Sequence, residues 1–87
     1  MKKLSEKKRA LNIFDSLLTY ELVNSDTMRT QIKDFCLTNI QITKNFGFQC
    51  EVFRFLQREE MRDILAQVTQ LLDQKKIKAL YEVVQNE

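Results

Sequence analysis

The chain has 87 residues and a formal net charge of +2, and 44% of its residues are hydrophobic and 30% charged. It contains one glycine and no proline or histidine. The apolar share excludes a disordered or low-complexity protein, and a turn-rich all-β fold would need turn residues about every 8–12 positions. The composition therefore predicts one small, mostly helical domain over residues 1–87.

The side chains that most catalytic and metal sites use are missing or isolated. Histidine is the commonest general base and metal ligand, and the chain has none. A single glycine excludes a glycine-rich phosphate loop. Cys36 and Cys50 lie among apolar residues and form no CxxC pair, so we interpret them as core thiols rather than metal ligands. We therefore expect a non-enzymatic protein without a metal or cofactor.

The first nine residues are strongly basic and lack the apolar stretch of an export signal. No segment approaches the roughly 20 consecutive apolar residues that a membrane-spanning helix needs. We therefore expect a cytoplasmic protein that does not enter the membrane. Such a compartment is reducing, and free cysteines are the norm in it.

Two amphipathic helices are predicted in the first half of the chain. Between about Ser5 and Val23, apolar residues recur at steps of three and four, with Ser5 as the N-cap. The polar run at 24–27 predicts the end of this helix and the start of the next, because its short side chains accept hydrogen bonds from free backbone N–H groups. The residues expected to face the core are Ala10, Leu11, Phe14, Leu17, Leu18 and Leu22 in the first helix, and Met28, Ile32, Phe35, Cys36 and Ile40 in the second.

The stretch from 39 to 55 allows two interpretations. Apolar and polar residues alternate in it as in a half-buried strand, and residues 44–47 could form a hairpin turn. Its phenylalanines are also spaced at three and four residues, as in a helix. We favour the helix, because the pattern continues without a breaker into the next helical segment. Asn45 and Gly47 would then be the C-terminal stop of the second helix.

A third helix is predicted from about 48 to 73. Its inward residues include Met61, Leu65, Val68 and Leu72. The apolar residues that follow lie on nearly the opposite side of the same projection, so we expect a break at 73–76 and a short final helix over 76–85. The predicted fold is all-α, a compact antiparallel bundle of three main helices and a short fourth. The hairpin interpretation gives the alternative, an α+β winged helix with its hairpin at about 40–55.

Four of the eight aromatic residues fall within ten positions: Phe46, Phe48, Phe53 and Phe55. A chain of this size buries only around two-thirds of its unfolded surface, so not all of them are expected inside a monomer. A straight helix over 48–73 would be about 39 Å long and would overhang the shorter first two helices. We therefore predict a protein-binding or homodimer interface at these phenylalanines, with Phe53 or Phe55 near its centre.

Two groups of basic residues could contact phosphates or acidic partners. One is a basic N-terminal arm over residues 1–9, which contains Lys2, Lys3, Lys7, Lys8 and Arg9. The other is a ladder of Arg54, Arg58 and Arg62 at i, i+4 and i+8, because guanidinium groups bind anions through two parallel donors. Acidic residues within one turn of the ladder can neutralise it, and solvated ion pairs are the simpler interpretation.

The absent catalytic residues and the excess apolar surface predict a small cytoplasmic regulator or adaptor. It would act by binding a protein partner through an apolar helix face, and we expect it to form a homodimer. The alternative is a small DNA-binding transcriptional regulator with a helix-turn-helix, whose contacts would be the arginine ladder and the basic arm.

Overall fold

The computed structural model describes residues 5–86, and no strand occurs among them. They form five α-helices and one short 3₁₀ helix. The helices are α1 Glu6–Thr19, α2 Asp26–Gln41, α3 Phe46–Phe55, α4 Arg62–Gln70 and α5 Gln74–Gln85, and the 3₁₀ helix is Glu59–Met61. The all-α class is confirmed. The winged-helix alternative is wrong, because residues 46–55 form a helix where the hairpin was placed.

Polar side chains set the starts of four helices by accepting hydrogen bonds from free backbone N–H groups. Ser5 and Ser25 accept from the N–H groups three residues further on, at 3.2 Å each. Asp73 accepts from the N–H of Lys75 at 3.1 Å. The predicted N-cap at Ser5 and the predicted restart within 24–27 are therefore confirmed.

Asn45 begins a helix rather than ending one. Its side chain accepts from the backbone N–H of Phe48 at 3.1 Å, so it caps α3, while α2 ends earlier at Gln41. Gly47 lies in the first turn of α3, where an added Cβ would sit 3.3 Å from the capping oxygen. The prediction that these two residues stop the second helix was wrong, because their pattern also fits an N-terminal cap.

The predicted helix over 48–73 is also wrong, because the chain breaks after Phe55. Arg58 has φ −63° and ψ 145°, an extended conformation that no α-helix accommodates. The break separates α3 from the 3₁₀ helix and α4, which raises the number of helices from the expected three or four to five. A 39 Å straight helix with an apolar overhang therefore does not exist. The final helix predicted over 76–85 is confirmed and begins two residues earlier.

Helix α3 lies at the centre of the molecule and contacts α1, α2 and α5. Six of its ten residues are buried. Two edge-to-face aromatic pairs join other elements to this core: Phe53 with Tyr81 of α5 at 4.8 Å between ring centroids, and Phe14 of α1 with Phe35 of α2 at 5.2 Å. Buried side chains from all five helices form one apolar cluster. The radius of gyration, 12.6 Å, is close to the roughly 12 Å of a compact chain of this length.

Both cysteines are buried and neither forms a disulfide, as predicted. Burial raises the pKa of Cys36 from 9.0 to about 12, so its thiol stays protonated at neutral pH. Within residues 5–86, none of the helices has the length and apolar character that would let it cross a membrane.

Candidate protein-binding surface

Three of the four phenylalanines predicted as an interface lie inside the monomer. Phe48, Phe53 and Phe55 are buried, and Phe53 has no exposed surface. The reason is the central position of α3, which has neighbours on several sides. Phe46, in the first turn of α3, is the only one of the four that is exposed, with 42% of its surface open to solvent. An interface centred on Phe53 or Phe55 therefore has no surface in the folded monomer.

The three arginines of the predicted ladder do not share a helix. Arg54 lies in α3, Arg58 in the linker and Arg62 in α4, so the i, i+4, i+8 stripe is wrong. Arg58 donates to the carboxylates of Asp15 at 2.7 Å and Glu60 at 2.9 Å. The hydrogen bond to Asp15 is the main cause that raises the pKa of Arg58. Arg62 pairs with Glu59 at 3.2 Å.

The predicted basic arm is helical from residue 6 onward. Lys2 and Lys3 lie outside the described residues, and Lys7, Lys8 and Arg9 belong to the first turns of α1. Lys8 forms an ion pair with Glu51 of α3 at 2.6 Å, and Lys7 donates to the Thr43 hydroxyl at 3.2 Å. These two lysines therefore attach α1 to the rest of the molecule. Residues 6–9 of the basic arm are therefore the first turn of the helix that the sequence predicts from about Ser5.

A groove of about 300 Å³ runs between α1 and α3 and carries charges of both signs. Its lining includes Lys8, Asp15, Glu51, Arg54 and Arg58. The ion pairs Lys8–Glu51 and Arg58–Asp15 both span it, and each joins residues 43 positions apart. The groove is thus crossed by two ion pairs that hold α1 in place, and it is not a uniformly basic surface for phosphates.

An apolar groove lies on the outer side of α1. We call it the α1 patch and define it by Ile13, Leu17, Tyr20 and Leu22, with Asn12 and Ser16 at its polar edge. Its volume is about 250 Å³. Ile13 is 58% exposed, Tyr20 73% and Leu22 53%. Large apolar side chains with this exposure cluster in one place, and contiguous apolar surface of this kind marks interaction sites.

Helical spacing places the patch opposite the buried side of α1. Ile13, Leu17 and Tyr20 follow each other at i, i+4 and i+7, which is one face of a helix. The buried residues Leu11 and Leu18 point to the opposite side. Helix α1 therefore carries two apolar faces, of which the core uses only one. The periodicity predicts that Leu17 and Leu22 face the core, whereas both line the outer groove. The outer apolar face of α1 is therefore not evident from the sequence pattern.

The end of α1 brings Leu22 into the patch. The N–H of Leu22 donates to the carbonyl of Leu17 at 2.8 Å, and the N–H of Glu21 donates to that of Leu18 at 3.0 Å. These two bonds are those of a Schellman motif, which brings the residue after the cap close to the last turn. The motif needs a left-handed residue, and Glu21 fills that position with φ 58°. Glycine usually stands there, because the left-handed region costs other residues about 1–2 kcal/mol.

No group of three or more potential metal-ligating side chains occurs within the part of the chain that the structure describes. The other exposed large apolar residues include Ile42, Phe46 and Leu71, in and around the ends of α2, α3 and α4. They lie on other elements than the α1 patch.

Comparison of the chain with protein-family models, with curated proteins and with solved structures gives no significant match.

Proposed function

We propose that this protein is a small non-enzymatic regulator or adaptor that acts by binding another protein chain through the α1 patch. The observation that carries the proposal is the concentration of exposed apolar surface on α1, where Ile13, Tyr20 and Leu22 are each more than half exposed. Leaving such surface in water is unfavourable by about 25 cal/mol per Å², so a partner that covers it gains free energy. The protein would work in the cytoplasm, where its two buried cysteines, which form no disulfide, stay reduced.

The composition of the patch supports this function. Protein interfaces combine an apolar centre with a polar rim, and tyrosine is enriched among the residues that contribute most to binding. Ile13 and Tyr20 supply exposed apolar surface, and Asn12 and Ser16 supply hydrogen-bonding groups at the edge. The groove lies on a regular helix, so its shape is largely formed before a partner arrives.

No observation on the described surface favours the DNA-binding alternative. Arg58 and Arg62 are paired with carboxylates, and Lys8 is paired with Glu51. Residues 46–55, which belonged to the predicted wing at about 40–55, form the mostly buried helix α3. The alternative therefore remains a prediction from sequence.

The proposal is tested by exchanging apolar for polar side chains at two matched places. The tagged chain and the variant Ile13→Ser/Tyr20→Ser are each expressed in cells and crosslinked, and bound proteins are quantified by mass spectrometry. The control is Ile42→Ser/Leu71→Ser, which removes two residues that are 72% and 58% exposed elsewhere. We expect the patch variant to lose its crosslinked proteins and the control to keep them.

Circular dichroism and thermal unfolding of both double variants establish that they remain folded. Crosslinking that is unchanged by Ile13→Ser/Tyr20→Ser, or lost equally in the control, would refute the α1 patch as the binding surface.

A further inference from the structure

We infer that the chain bound by the α1 patch is a second copy of this protein, whose α1 packs antiparallel to the first about a two-fold axis. The inference rests on the proposed function, because it names the partner of that same surface. Symmetric dimers are the commonest assemblies of soluble proteins, and they form where one surface is complementary to itself.

The apolar residues of the outer face are complementary to themselves in this arrangement. If the axis passes between Ile13 and Leu17, each of these residues lies against the other in the second copy. By position along the chain, the same axis sets the half-buried Ala10, at the flank of this face, against Tyr20 of the copy. A small side chain then faces a large one at each end of the contact, which lets two helices approach closely.

The charges at the two ends of the face are complementary as well. Arg9 stands six positions before the axis, in the first turn of α1, and Glu21 six positions after it, directly beyond the C-cap Tyr20, so the two charges flank the patch at its opposite ends. Both side chains are exposed, and neither takes part in an ion pair within residues 5–86. An antiparallel copy brings each arginine to the other chain's glutamate, whereas a parallel copy would bring like charges together.

The size of the patch predicts a weak dimer. Four side chains per copy, with their polar edge, correspond to the low end of specific interfaces, below about 1,200 Å² in total. Self-association must therefore be measured at concentrations up to about 1 mM.

The experiment is sedimentation equilibrium on the full chain and on charge-reversed variants. We expect a species of twice the 10.4 kDa monomer mass to appear as concentration rises. Arg9→Glu and Glu21→Arg should each weaken the dimer by about tenfold, because each replaces two attractions by two repulsions.

Mixing the two variants should restore association. In the mixed dimer the two reversed charges face each other with opposite signs, and the unchanged Glu21 of one chain faces the unchanged Arg9 of the other. Lys78→Glu, which reverses an exposed charge on α5, is the matched control and should change nothing.

Three results would overturn the inference. The protein could stay a monomer at every concentration, the dimer affinity could be the same in both charge-reversed variants as in the unchanged protein, or the mixture of the two variants could fail to associate. Its failure is distinguishable from that of the proposed function. The protein could remain a monomer in sedimentation while its cellular crosslinks still depend on Ile13 and Tyr20. That result would refute the homodimer and support the proposed binding function of the patch. A monomer whose crosslinks do not depend on the patch overturns both.

Discussion

Glu21 is the one residue other than glycine with a positive φ among residues 5–86, and it stands where the end of α1 brings Leu22 back onto Leu17. Replacing it with glycine should raise the free energy of unfolding by about 0.5–1 kcal/mol, because relief of the left-handed strain exceeds the added entropy of the unfolded chain. Urea denaturation measures this change.

Glu21→Ala is the control for that substitution. It removes the carboxylate but keeps the Cβ, so it should leave stability nearly unchanged. A glycine variant that is no more stable than the alanine variant would show that relief of the left-handed strain does not exceed the added entropy of the unfolded chain.

Cys36 should make the protein less stable at alkaline pH. Its pKa is 9.0 when exposed and about 12 when buried, so above pH 9 the unfolded chain releases a proton that the folded chain keeps. The folded state then binds more protons than the unfolded state, and stability falls as pH rises. This residue should lower the free energy of unfolding by up to about 1.4 kcal/mol per pH unit.

The measurement compares urea denaturation of the protein and of Cys36→Ala between about pH 9 and pH 10.5, a window that lies between the exposed and buried pKa values. The alanine variant is less stable throughout because it leaves a cavity, but its stability should fall less steeply with pH. Equal slopes would mean that the thiol ionises in the folded protein as easily as in the unfolded chain.

Helix α3 gives a direct comparison of two phenylalanines that the sequence could not tell apart. Phe53 has no exposed surface and packs edge-to-face on Tyr81, whereas Phe46 is 42% exposed. Phe53→Ala should reduce the free energy of unfolding by about 3–5 kcal/mol. Phe46→Ala, the control, should change it by about 0.5 kcal/mol or less. Thermal and urea unfolding measure both.

A variant Phe53→Ala that kept its stability and lost only self-association would reverse this assignment. It would show that the phenylalanine cluster serves a dimer, as its spacing alone had indicated.

The sequence predicts the helical elements where their signals are local. The caps at Ser5 and Ser25 depend only on a side chain and the backbone three residues away, and periodicity depends only on neighbouring turns. The break at Arg58 has no such signal. Arg58 has an extended backbone, and its side chain donates hydrogen bonds to Asp15 and Thr19 of α1. The break therefore coincides with tertiary contacts, and no nearby glycine or proline indicates it in the sequence.

At the scale of the whole molecule, composition was enough for the fold class but not for the arrangement of the helices. Which helix lies at the centre depends on contacts between distant segments, and no pattern within 46–55 distinguishes a buried helix from an interface helix. The α1 patch was missed for a related reason. The apolar residues of α1 fit a single inner face, and Leu17 fits that face nearly as well as it fits the outer one.

The two ion pairs that hold α1 in place, Lys8–Glu51 and Asp15–Arg58, have a consequence for synthesis of the chain. Lys8 and Asp15 meet Glu51 and Arg58, which the ribosome adds 43 residues later. At about 5–20 residues per second, that delay is roughly two to nine seconds. A lone helix of 14 residues is barely stable in water. During this interval α3, against which α1 packs, has not yet been made, so the apolar residues of both faces of α1 are exposed to solvent. The nascent chain, rather than the folded protein, is then the form with the greatest tendency to aggregate and the greatest need for a chaperone.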